Sequence, residues 1–512
     1  MIRRFVGLLF FAAATSLLPA QSAPTARHIS PAKLDRNTGE LFRDSMYWDN
    51  HFYDSSAKLV RSPYSATYPH RGGRYMVRES SWYALGLLFR DQHGDRERAA
   101  QILDTVLKEQ YTKPGVRWFG TYKRTPEEPD PTNKAIIWRG YDPNWRHFIG
   151  TTFAMILIEF PERVSPELRD RMYKAIDLAI QGEMQEGRLV PSYTNIALMY
   201  GFLWDFAAVH DHNTAWLQQS AAWNDEVYRL YKQYDTFYEY NSPTYCGVDI
   251  YGLALFRDYG SSEHMRTMGR EMEAGLWRDL MKYYQPNLRN LSGPFDRSYG
   301  MDMESYVSVV GLWMRTVLDA AHAPFPPLSA TTDHLPDLWF APHAAILGTS
   351  IPADALAKMK HFDGEHLVRQ QIDAKRTATA WIGKNVIFGG EITQKTKDAG
   401  TTTQFHPATV QWRTPSGSIG WVQLLQCPPV DASADEHGLT IDTSGTARFR
   451  IHAAGLDKSK LSGKAWDLPG VHITVKSDAT GSSVEAGKDY VDVVYNGMNH
   501  MRLSIQGERY VR

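Results

Sequence analysis

The chain contains 512 residues, enough for two or three domains, and its 56 Lys plus Arg balance 57 Asp plus Glu to a formal net charge of −1. This balance argues against nucleic acid or an anionic membrane surface as a partner. Hydrophobic residues make up 43% and charged residues 22% of the chain, which is typical of folded domains rather than disordered ones.

The N-terminus has the layout of a secretory signal peptide. Arg3 and Arg4 form a short basic region, residues 5–18 are apolar, and small residues follow at 20–23. About 14 apolar residues fall short of the roughly 20 that span a bilayer. We therefore expect a signal peptide at residues 1–23, a secreted or periplasmic protein, and no membrane partner after signal removal.

The first two thirds of the chain show helical periodicity. Apolar positions recur every three or four residues over 78–109, and Gly94-Asp95 divides this stretch into two helices. Ser165-Pro166-Glu167 is a helix start, and its helix is predicted to end near Gly182. Further helices are predicted at 148–160, 195–210, 214–234, 247–259, 262–284 and 303–321. Short connections favour antiparallel helical hairpins arranged as an (α/α) toroid, with a helical bundle or a superhelical repeat as the alternatives.

The pattern changes after the helices. A Pro-rich and Ser/Thr-rich stretch around 322–335 is typical of a linker. Short alternating runs, separated by turn residues, predict strands at 377–382, 408–412, 418–425, 447–452, 471–475 and 501–505. The predicted fold class is therefore α+β multidomain. We expect a catalytic toroid over 24–325, a linker and connecting segment over 326–373, and an antiparallel β-sandwich over 374–512.

Two loops that precede predicted helices combine polar and aromatic residues. The loop 141–147 contains Asp142, Asn144 and Trp145, which suit either a helix start or a polar rim with a tryptophan that stacks on a sugar. The loop 191–196 contains Tyr193 and Asn195. An asparagine at this place either caps the helix or donates a hydrogen bond to a substrate carboxylate.

Two later loops carry denser groups of polar and aromatic residues. Residues 237–249 include Glu239, Asn241, Tyr245 and Asp249, a combination that a purely structural loop rarely needs. Residues 292–302 include Arg297, Tyr299 and Asp302. An arginine suits bidentate binding of a carboxylate.

The remaining polar signals are weaker. Arg78 and Glu79 open a helix, where Glu79 either compensates the helix dipole or contributes to substrate binding. His51, His70 and His147 are isolated, and an isolated histidine is more often structural. Two cysteines, Cys246 and Cys427, are too few for a disulfide framework or a cysteine-rich metal site. No zinc-protease, phosphate-loop or nucleophile-elbow motif is present, so we expect no metal and no cofactor.

The helical texture together with these loops resembles the polysaccharide lyases that join an (α/α) toroid to a β-sandwich, such as the heparinase II/III, chondroitin AC and alginate lyases. Four segments carry the resemblance: Asp-Pro-Asn-Trp at 142–145, Tyr-Thr-Asn-Ile at 193–196, Glu-Tyr-Asn-Ser-Pro-Thr-Tyr at 239–245 and Gly-Pro-Phe-Asp-Arg-Ser-Tyr at 293–299. The resemblance covers nearly the whole mature chain, and it implies β-elimination on a uronate-containing polysaccharide or oligosaccharide.

The resemblance also implies a role for each catalytic candidate. Asn195 neutralises the uronate carboxylate, Tyr299 is the acid/base, and Arg297 activates it or clamps the carboxylate. Glu239 orients the asparagine or the arginine, and Tyr245 is a second candidate acid. The substrate-binding candidates are Tyr193, Asn241, Asp142, Asn144, Trp145, Arg78, Glu79 and Asp249. These lyases often place a histidine beside the second of the four segments, and this chain has none there. His147 or His51 could serve as the base only if the fold brings it near.

Other functions remain open at the level of the sequence. A glycoside hydrolase would use two carboxylates out of Glu79, Asp142, Glu239, Asp249 and Asp302. A non-catalytic glycan-binding protein would need aromatic platforms without an Arg–Tyr–Asn cluster. A sugar epimerase is disfavoured by the predicted export signal. Oligomeric state is left undetermined.

Overall fold

The computed structural model describes residues 22–63, 74–401 and 403–507. Nearly all of the predicted signal peptide lies outside the described residues, as does His70. The described helices are α1 (Arg36–Phe52), α2 (Val77–Arg90), α3 (Asp95–Lys108), α4 (Trp145–Glu159), α5 (Pro166–Glu186), α6 (Thr194–His210), α7 (Thr214–Tyr234), α8 (Tyr245–Tyr259), α9 (Glu263–Tyr283), α10 (Val309–Arg315), α11 (Ala341–Leu347) and α12 (Ala353–Lys360).

Four antiparallel hairpins build the helical domain: α2 with α3, α4 with α5, α6 with α7, and α8 with α9. The first helix of each hairpin also packs against the first helix of the next hairpin, so α2, α4, α6 and α8 form an inner ring. Sequence composition explains the two layers. Almost every residue of α6 is buried, whereas α7 buries only Ser220, Asn224, Val227 and Tyr231, which lie on one face at three- and four-residue spacing.

The ring is closed by a segment that the sequence analysis assigned to the linker. Residues 335–340 form a 3₁₀ turn that leads into α11, and α11 packs against α1, α2 and α8. The stretch 326–373 is therefore more than a linker, since part of it belongs to the helical domain. Its helices have six to eight residues, too few for the periodicity of the sequence to reveal them.

Two helix ends differ from prediction for local reasons. The helix α5 starts as predicted, with the Ser165 hydroxyl accepting from the Leu168 amide at 3.2 Å. It continues past Gly182 to Gly187, which adopts a left-handed φ of 58°. Gly182 is a packing residue instead, because a Cβ there would lie 2.0 Å from the Phe119 carbonyl oxygen. Of the helix predicted over 303–321, only α10 is helical, and turns and loops form the rest.

The C-terminal domain is antiparallel β, as predicted. The helical domain contains five short described strands in two small sheets: β1 (Tyr53–Asp54), β2 (Leu59–Arg61), β3 (Tyr75–Met76), β4 (Tyr284–Gln285) and β5 (Asn290–Leu291). The described strands of the C-terminal domain are β6 (His366–Gln371), β7 (Thr377–Ile382), β8 (Val386–Ile392), β9 (Ala408–Arg413), β10 (Ile419–Gln426), β11 (Asp431–Asp435), β12 (Gly438–His452), β13 (Ala465–Leu468), β14 (Val471–Ser477), β15 (Gly481–Ala486) and β16 (Val491–Gly507). The main sheet has the order β13-β14-β16-β12-β10-β9-β8-β7-β6, with β11 on β12 and β15 on β16. It folds over so that β11 lies against β7 and β8, which encloses an apolar core around Trp412 and Trp466. The predicted fold class, a toroid followed by an antiparallel β-sandwich, is confirmed.

A buried polar network joins the two domains. Asp296 of the helical domain accepts from Arg376 Nη1 at 3.0 Å and from Lys397 Nζ at 2.8 Å, both from the β domain. In the opposite direction, the Tyr240 hydroxyl of the helical domain donates to the fully buried Glu391 of the β domain at 2.6 Å. Burial raises the pKa of Glu391 to about 7, although Lys397 opposes this rise. A buried charge is costly without partners, so this network fixes how the domains meet.

Both cysteines are buried and free. Within 22–63, 74–401 and 403–507, none of the helices has the length and hydropathy needed to cross a membrane.

Candidate functional site

A cleft of about 1110 Å³ lies at the end of the ring where the inner helices begin. First-turn residues of α2, α4, α6, α8 and α10 line it, namely Arg78, Trp145, Asn195, Tyr245 and Val309. Helix N-termini carry partial positive charge. Their convergence favours an anionic ligand in this cleft.

Both domains contribute to the walls. The loop 296–299 and the 3₁₀ segment with His334 and Asp337 come from the helical domain. Lys397, Gln404 and Phe405 come from the loop between β8 and β9 of the β domain. The cleft is thus an interdomain site.

One carboxylate connects the predicted neutraliser and the predicted clamp. Glu239 Oε2 accepts from Asn195 Nδ2 at 2.6 Å and from the Asn195 backbone amide at 3.2 Å. Glu239 Oε1 accepts from Arg297 Nη1 at 2.6 Å. Asn195 and Glu239 are 1% and 6% exposed, so both side chains are held in fixed positions. Burial raises the pKa of Glu239, and the Arg297 guanidinium opposes that rise.

Arg297 is held by further contacts on both sides. Its Nε donates to Gln404 Oε1 at 3.0 Å, and its Cζ lies 3.6 Å from the centroid of the Tyr245 ring. Burial lowers the pKa of Arg297, but Tyr245 and Glu239 outweigh this effect, so its pKa is raised and the guanidinium stays charged. The arrangement presents a fixed cation to the cleft.

The two predicted tyrosines are hydrogen-bonded to each other. The Tyr245 and Tyr299 hydroxyls are 2.7 Å apart, and Tyr299 is 44% exposed in the cleft. Burial and the neighbouring Tyr299 raise the pKa of Tyr245 well above its usual range, against the opposing charge of Arg297. Tyr245 therefore stays protonated, and either hydroxyl can donate in the hydrogen bond between them.

The structure adds a histidine that the sequence analysis missed. The His334 ring stacks on Tyr299 with centroids 4.4 Å apart, and His334 Nδ1 lies 3.3 Å from Asp337 Oδ2. Burial lowers the pKa of His334, but its hydrogen bond to the Asp337 carboxylate and the charges of Asp337 and Asp333 outweigh this effect, so the pKa of His334 is raised above 6.5. The His-x-x-Asp spacing was the available signal, but it lies in the segment assigned to the linker.

The two histidines offered as alternative bases lie elsewhere. His147 is fully buried 3.1 Å from Glu183, outside the cleft lining, and burial lowers its pKa. His51 is on α1, with its ring against Trp48 and Phe52. Neither histidine lines the cleft that contains Tyr245 and Tyr299.

Trp145 lines the cleft but is not an exposed platform. It is 3% exposed, and the Arg78 guanidinium covers it with its Cζ 5.1 Å from the ring centroid. The same guanidinium lies 4.6 Å from the Trp82 ring centroid and 5.0 Å from that of Phe148. Of the two readings left open for the loop 141–147, a helix start fits the structure, and the Trp145 ring supports Arg78 instead of standing free to stack on a sugar.

Three further predicted binding residues, Asp142, Asn144 and Tyr193, also line the cleft. Asn144 Nδ2 donates to the Tyr193 hydroxyl at 3.2 Å, and Arg188 Nη2 donates to Asn144 Oδ1 at 2.9 Å. Asp142 accepts from the Asn144 amide at 2.9 Å, and burial raises its pKa. These contacts place an amide, a phenol and a carboxyl group along one wall.

Glu79, Asn241, Asp249 and Asp302 are outside the lining. Glu79 is fully buried and pairs with Arg78 at 2.6 Å. Asn241 Nδ2 donates to the carbonyls of Ser292 and Pro294, so it shapes the loop that carries Arg297. Asp249 is fully buried and neither carboxyl oxygen has a hydrogen-bond partner, and burial raises its pKa well above the usual range. These four predicted residues are therefore not exposed to the cleft, and Glu79 and Asn241 contact residues or loops that are.

Among the described residues, no group of three or more His, Cys, Asp or Glu is placed to hold a metal ion. The cleft presents instead a set of organic donors and acceptors: an amide, a guanidinium, two phenols and an imidazole. Such a set can bind a carboxylate and move a proton.

The family model described as "Domain of unknown function (DUF8769)" matches residues 39–349, more than half of the chain. The chain belongs to this family. A second model, "Domain of unknown function (DUF8770)", matches residues 360–500. No curated protein matches the chain significantly.

Several solved structures are similar at low identity. Heparinase III is 9% identical, with 95% of this chain and 87% of that chain covered and a TM-score of 0.43. A chondroitin AC lyase mutant from Streptomyces coelicolor A3 is also 9% identical, with 94% and 81% covered and a TM-score of 0.41. Endoglucanase CelQ from Clostridium thermocellum is 8% identical, with 93% of each chain covered and a TM-score of 0.27. TM-scores this low do not carry a function from those proteins to this chain.

Proposed function

We propose that this chain is a secreted or periplasmic polysaccharide lyase that cleaves uronic-acid-containing glycans by β-elimination. The observation that carries the proposal is the pairing of Asn195 and Arg297 through Glu239, next to the hydrogen-bonded hydroxyls of Tyr245 and Tyr299. A uronate needs such a combination, because its C5 proton is hardly acidic while the adjacent carboxylate keeps its full charge.

Asn195 and Arg297 bind the uronate carboxylate in this mechanism. One amide proton of Asn195 is used by Glu239, which leaves the second one for the ligand. The charged guanidinium of Arg297 and the amide donor stabilise the additional charge that develops when the C5 proton leaves. Glu239 is a positioning residue, since it holds both groups without facing the reacting atoms.

Tyr299 removes the C5 proton as a phenolate. Two neighbours lie against Tyr299: the Tyr245 hydroxyl is 2.7 Å from its hydroxyl, and the His334 ring stacks on its ring. A hydrogen-bond donor and a cation close to a phenolate oxygen favour such a base.

The elimination balances in electron pairs and protons without a water molecule. The C5–H electron pair forms the C4–C5 double bond, the C4–O4 bond breaks, and the leaving O4 takes a proton from Tyr245. The proton that Tyr299 took from C5 then restores Tyr245 across their shared hydrogen bond. The products are an unsaturated uronate end and a new hydroxyl end.

A glycoside hydrolase is the second candidate, and one observation favours it. Asp142 lies in the cleft with a pKa raised by burial, as a general acid requires. Of the five carboxylates considered from sequence, only Asp142 and Glu239 line the cleft. Both Glu239 oxygens are occupied by Asn195 and Arg297, so Glu239 is poorly placed to activate water or attack a sugar.

The test is incubation of the purified protein with alginate, glucuronan, heparan sulfate, chondroitin sulfate and pectic side chains. We expect the ultraviolet absorbance of a conjugated C4–C5 double bond to rise with at least one of them. New reducing ends without that absorbance would contradict the lyase function and support the hydrolase function instead. Absence of both products across the panel would contradict an enzyme acting on these glycans.

A further inference from the structure

Trp138 stands exposed in the cleft wall on a strained backbone. It is 55% exposed, and its φ is 62°, a left-handed conformation that is unfavourable for a bulky residue. Six large hydrophobic side chains are exposed among the described residues, and three of them, Trp138, Val190 and Tyr299, line this cleft.

The backbone around Trp138 is clamped, which maintains the strain. The Trp138 amide donates to the Tyr141 carbonyl at 2.7 Å, and the Trp138 carbonyl accepts from Arg124 Nη1 at 2.8 Å. Arg124 is 6% exposed, and its Nε donates to the buried Glu128 at 2.9 Å. Buried charges thus hold the main chain, while the indole faces solvent. The position of the Trp138 backbone is thus fixed, and its exposed indole is placed to meet a ligand.

The cleft continues beyond this tryptophan. Ile137 and Arg188 line both the cleft and an adjoining groove of about 550 Å³. Gly115, Arg117 and Gln185 are among the other residues of that groove. A chain that leaves the cleft past Trp138 therefore meets a second, polar channel.

We propose that Trp138 is the stacking platform of a glycan-binding subsite, and that the same glycan chain continues from the cleft into the adjoining groove. The indole would cover the apolar face of a sugar ring that is not the reacting one. Arg117 and Arg188 would lie beside its hydroxyl or carboxylate groups. The inference rests on the proposed function only in that the cleft binds a glycan; it does not require elimination.

The test compares binding as a function of oligosaccharide length. In a Tyr299→Phe background, which prevents turnover, the dissociation constants of alginate and heparan sulfate di-, tetra- and hexasaccharides are measured calorimetrically. We expect Trp138→Gly to weaken the longest bound oligosaccharide about fivefold to tenfold and the shortest hardly at all. Trp138→Phe should restore most of the loss. Equal weakening at every length, or none, would overturn the subsite.

Stability separates a binding role from a structural one. Glycine tolerates the left-handed conformation, so Trp138→Gly should unfold at the same temperature as the parent or higher. A lower unfolding temperature, or a change in oligomeric state on gel filtration, would assign Trp138 to packing or to a subunit contact and overturn the proposal. Tyr47→Ala is the matched control, since Tyr47 is 62% exposed and outside the cleft.

The subsite and the lyase mechanism fail in different ways. Length-dependent loss by Trp138→Gly, together with no unsaturated product from any glycan, would keep the subsite and remove the lyase. Unsaturated product together with no effect of Trp138→Gly on binding would support the lyase mechanism and contradict the subsite. Binding of neither oligosaccharide series by the Tyr299→Phe parent would contradict the subsite for these glycans.

Discussion

The two domains enter the cleft in different ways. The helical domain supplies the groups that can hold charge or move protons, such as Asn195, Arg297 and Tyr299. The β domain supplies one loop, from which Gln404 accepts from Arg297 Nε at 3.0 Å and its carbonyl accepts from the Ser298 amide at 2.9 Å. In the proposed mechanism the reacting groups thus come from one domain, whereas both domains position Arg297.

This difference shows why the β domain is required for a complete site. Asp296, next to Arg297, is held by Arg376 and Lys397 of the β domain. Without these partners the loop that carries Arg297 and Tyr299 would lose the ion pairs that tie its Asp296 to the β domain. We expect substitutions in the helical domain to remove activity and substitutions in the β domain to reduce it.

The largest effect is expected for Tyr299→Phe. Loss of the hydroxyl removes the proposed acid/base, and kcat should fall about 1000-fold. The rate of double-bond formation on the best substrate of the panel is the measurement, with Tyr47→Phe as the control. Full activity of Tyr299→Phe would exclude Tyr299 as the acid/base and return attention to Tyr245.

A smaller loss is expected for Glu239→Gln. The amide cannot accept from both Asn195 and Arg297, so both groups lose orientation and kcat/KM should fall about 100-fold. A hydrolase that used Glu239 directly would lose nearly all activity, and only its reducing-end assay would respond. Circular dichroism of the variant checks folding, because a buried cation is left unpaired.

Gln404→Ala tests the β domain. Arg297 keeps Glu239 and Tyr245, so we expect about a tenfold loss in kcat/KM with the pH profile unchanged. Gln404→Glu retains an acceptor for Arg297 Nε and should recover most of the activity. A loss as large as that of Tyr299→Phe would show that the β domain takes part in the chemistry. It would contradict the view that this domain only helps to position Arg297.

The smallest effect concerns stability and pH. The pKa of His334 is raised in the folded protein, so its contribution to the free energy of unfolding is fully present below the ordinary pKa of 6.5 and is lost as pH rises through the folded value. The unfolding temperature of wild type relative to His334→Gln should therefore be higher at about pH 5.5 than at about pH 8.5, by no more than a few degrees. A difference that grows with pH would contradict a cationic His334.

Sequence patterns predicted the segments of the site better than the exposure of its side chains. Asn195, Glu239, Tyr245, Arg297 and Tyr299 were selected because polar and aromatic residues cluster at predicted helix starts, and all five line one cleft. Exposure could not be predicted in this way, since the sequence pattern singled out Trp145 and not the exposed Trp138. Both lie near the start of α4, and only the packing of Arg78 against Trp145 decides which ring is covered.

The sequence by itself determined the order of the elements and the two-domain division. Period-three-and-four and period-two hydrophobic patterns are local properties, and a Ser-Pro helix start or a left-handed glycine acts within a few residues. The tertiary structure alone decided that His334 meets Tyr299, that Glu239 joins Asn195 to Arg297, and that Asp249 is buried without partners. These contacts span 35 to 58 residues of chain or depend on complete burial, and their energies depend on desolvation and geometry that no local pattern encodes.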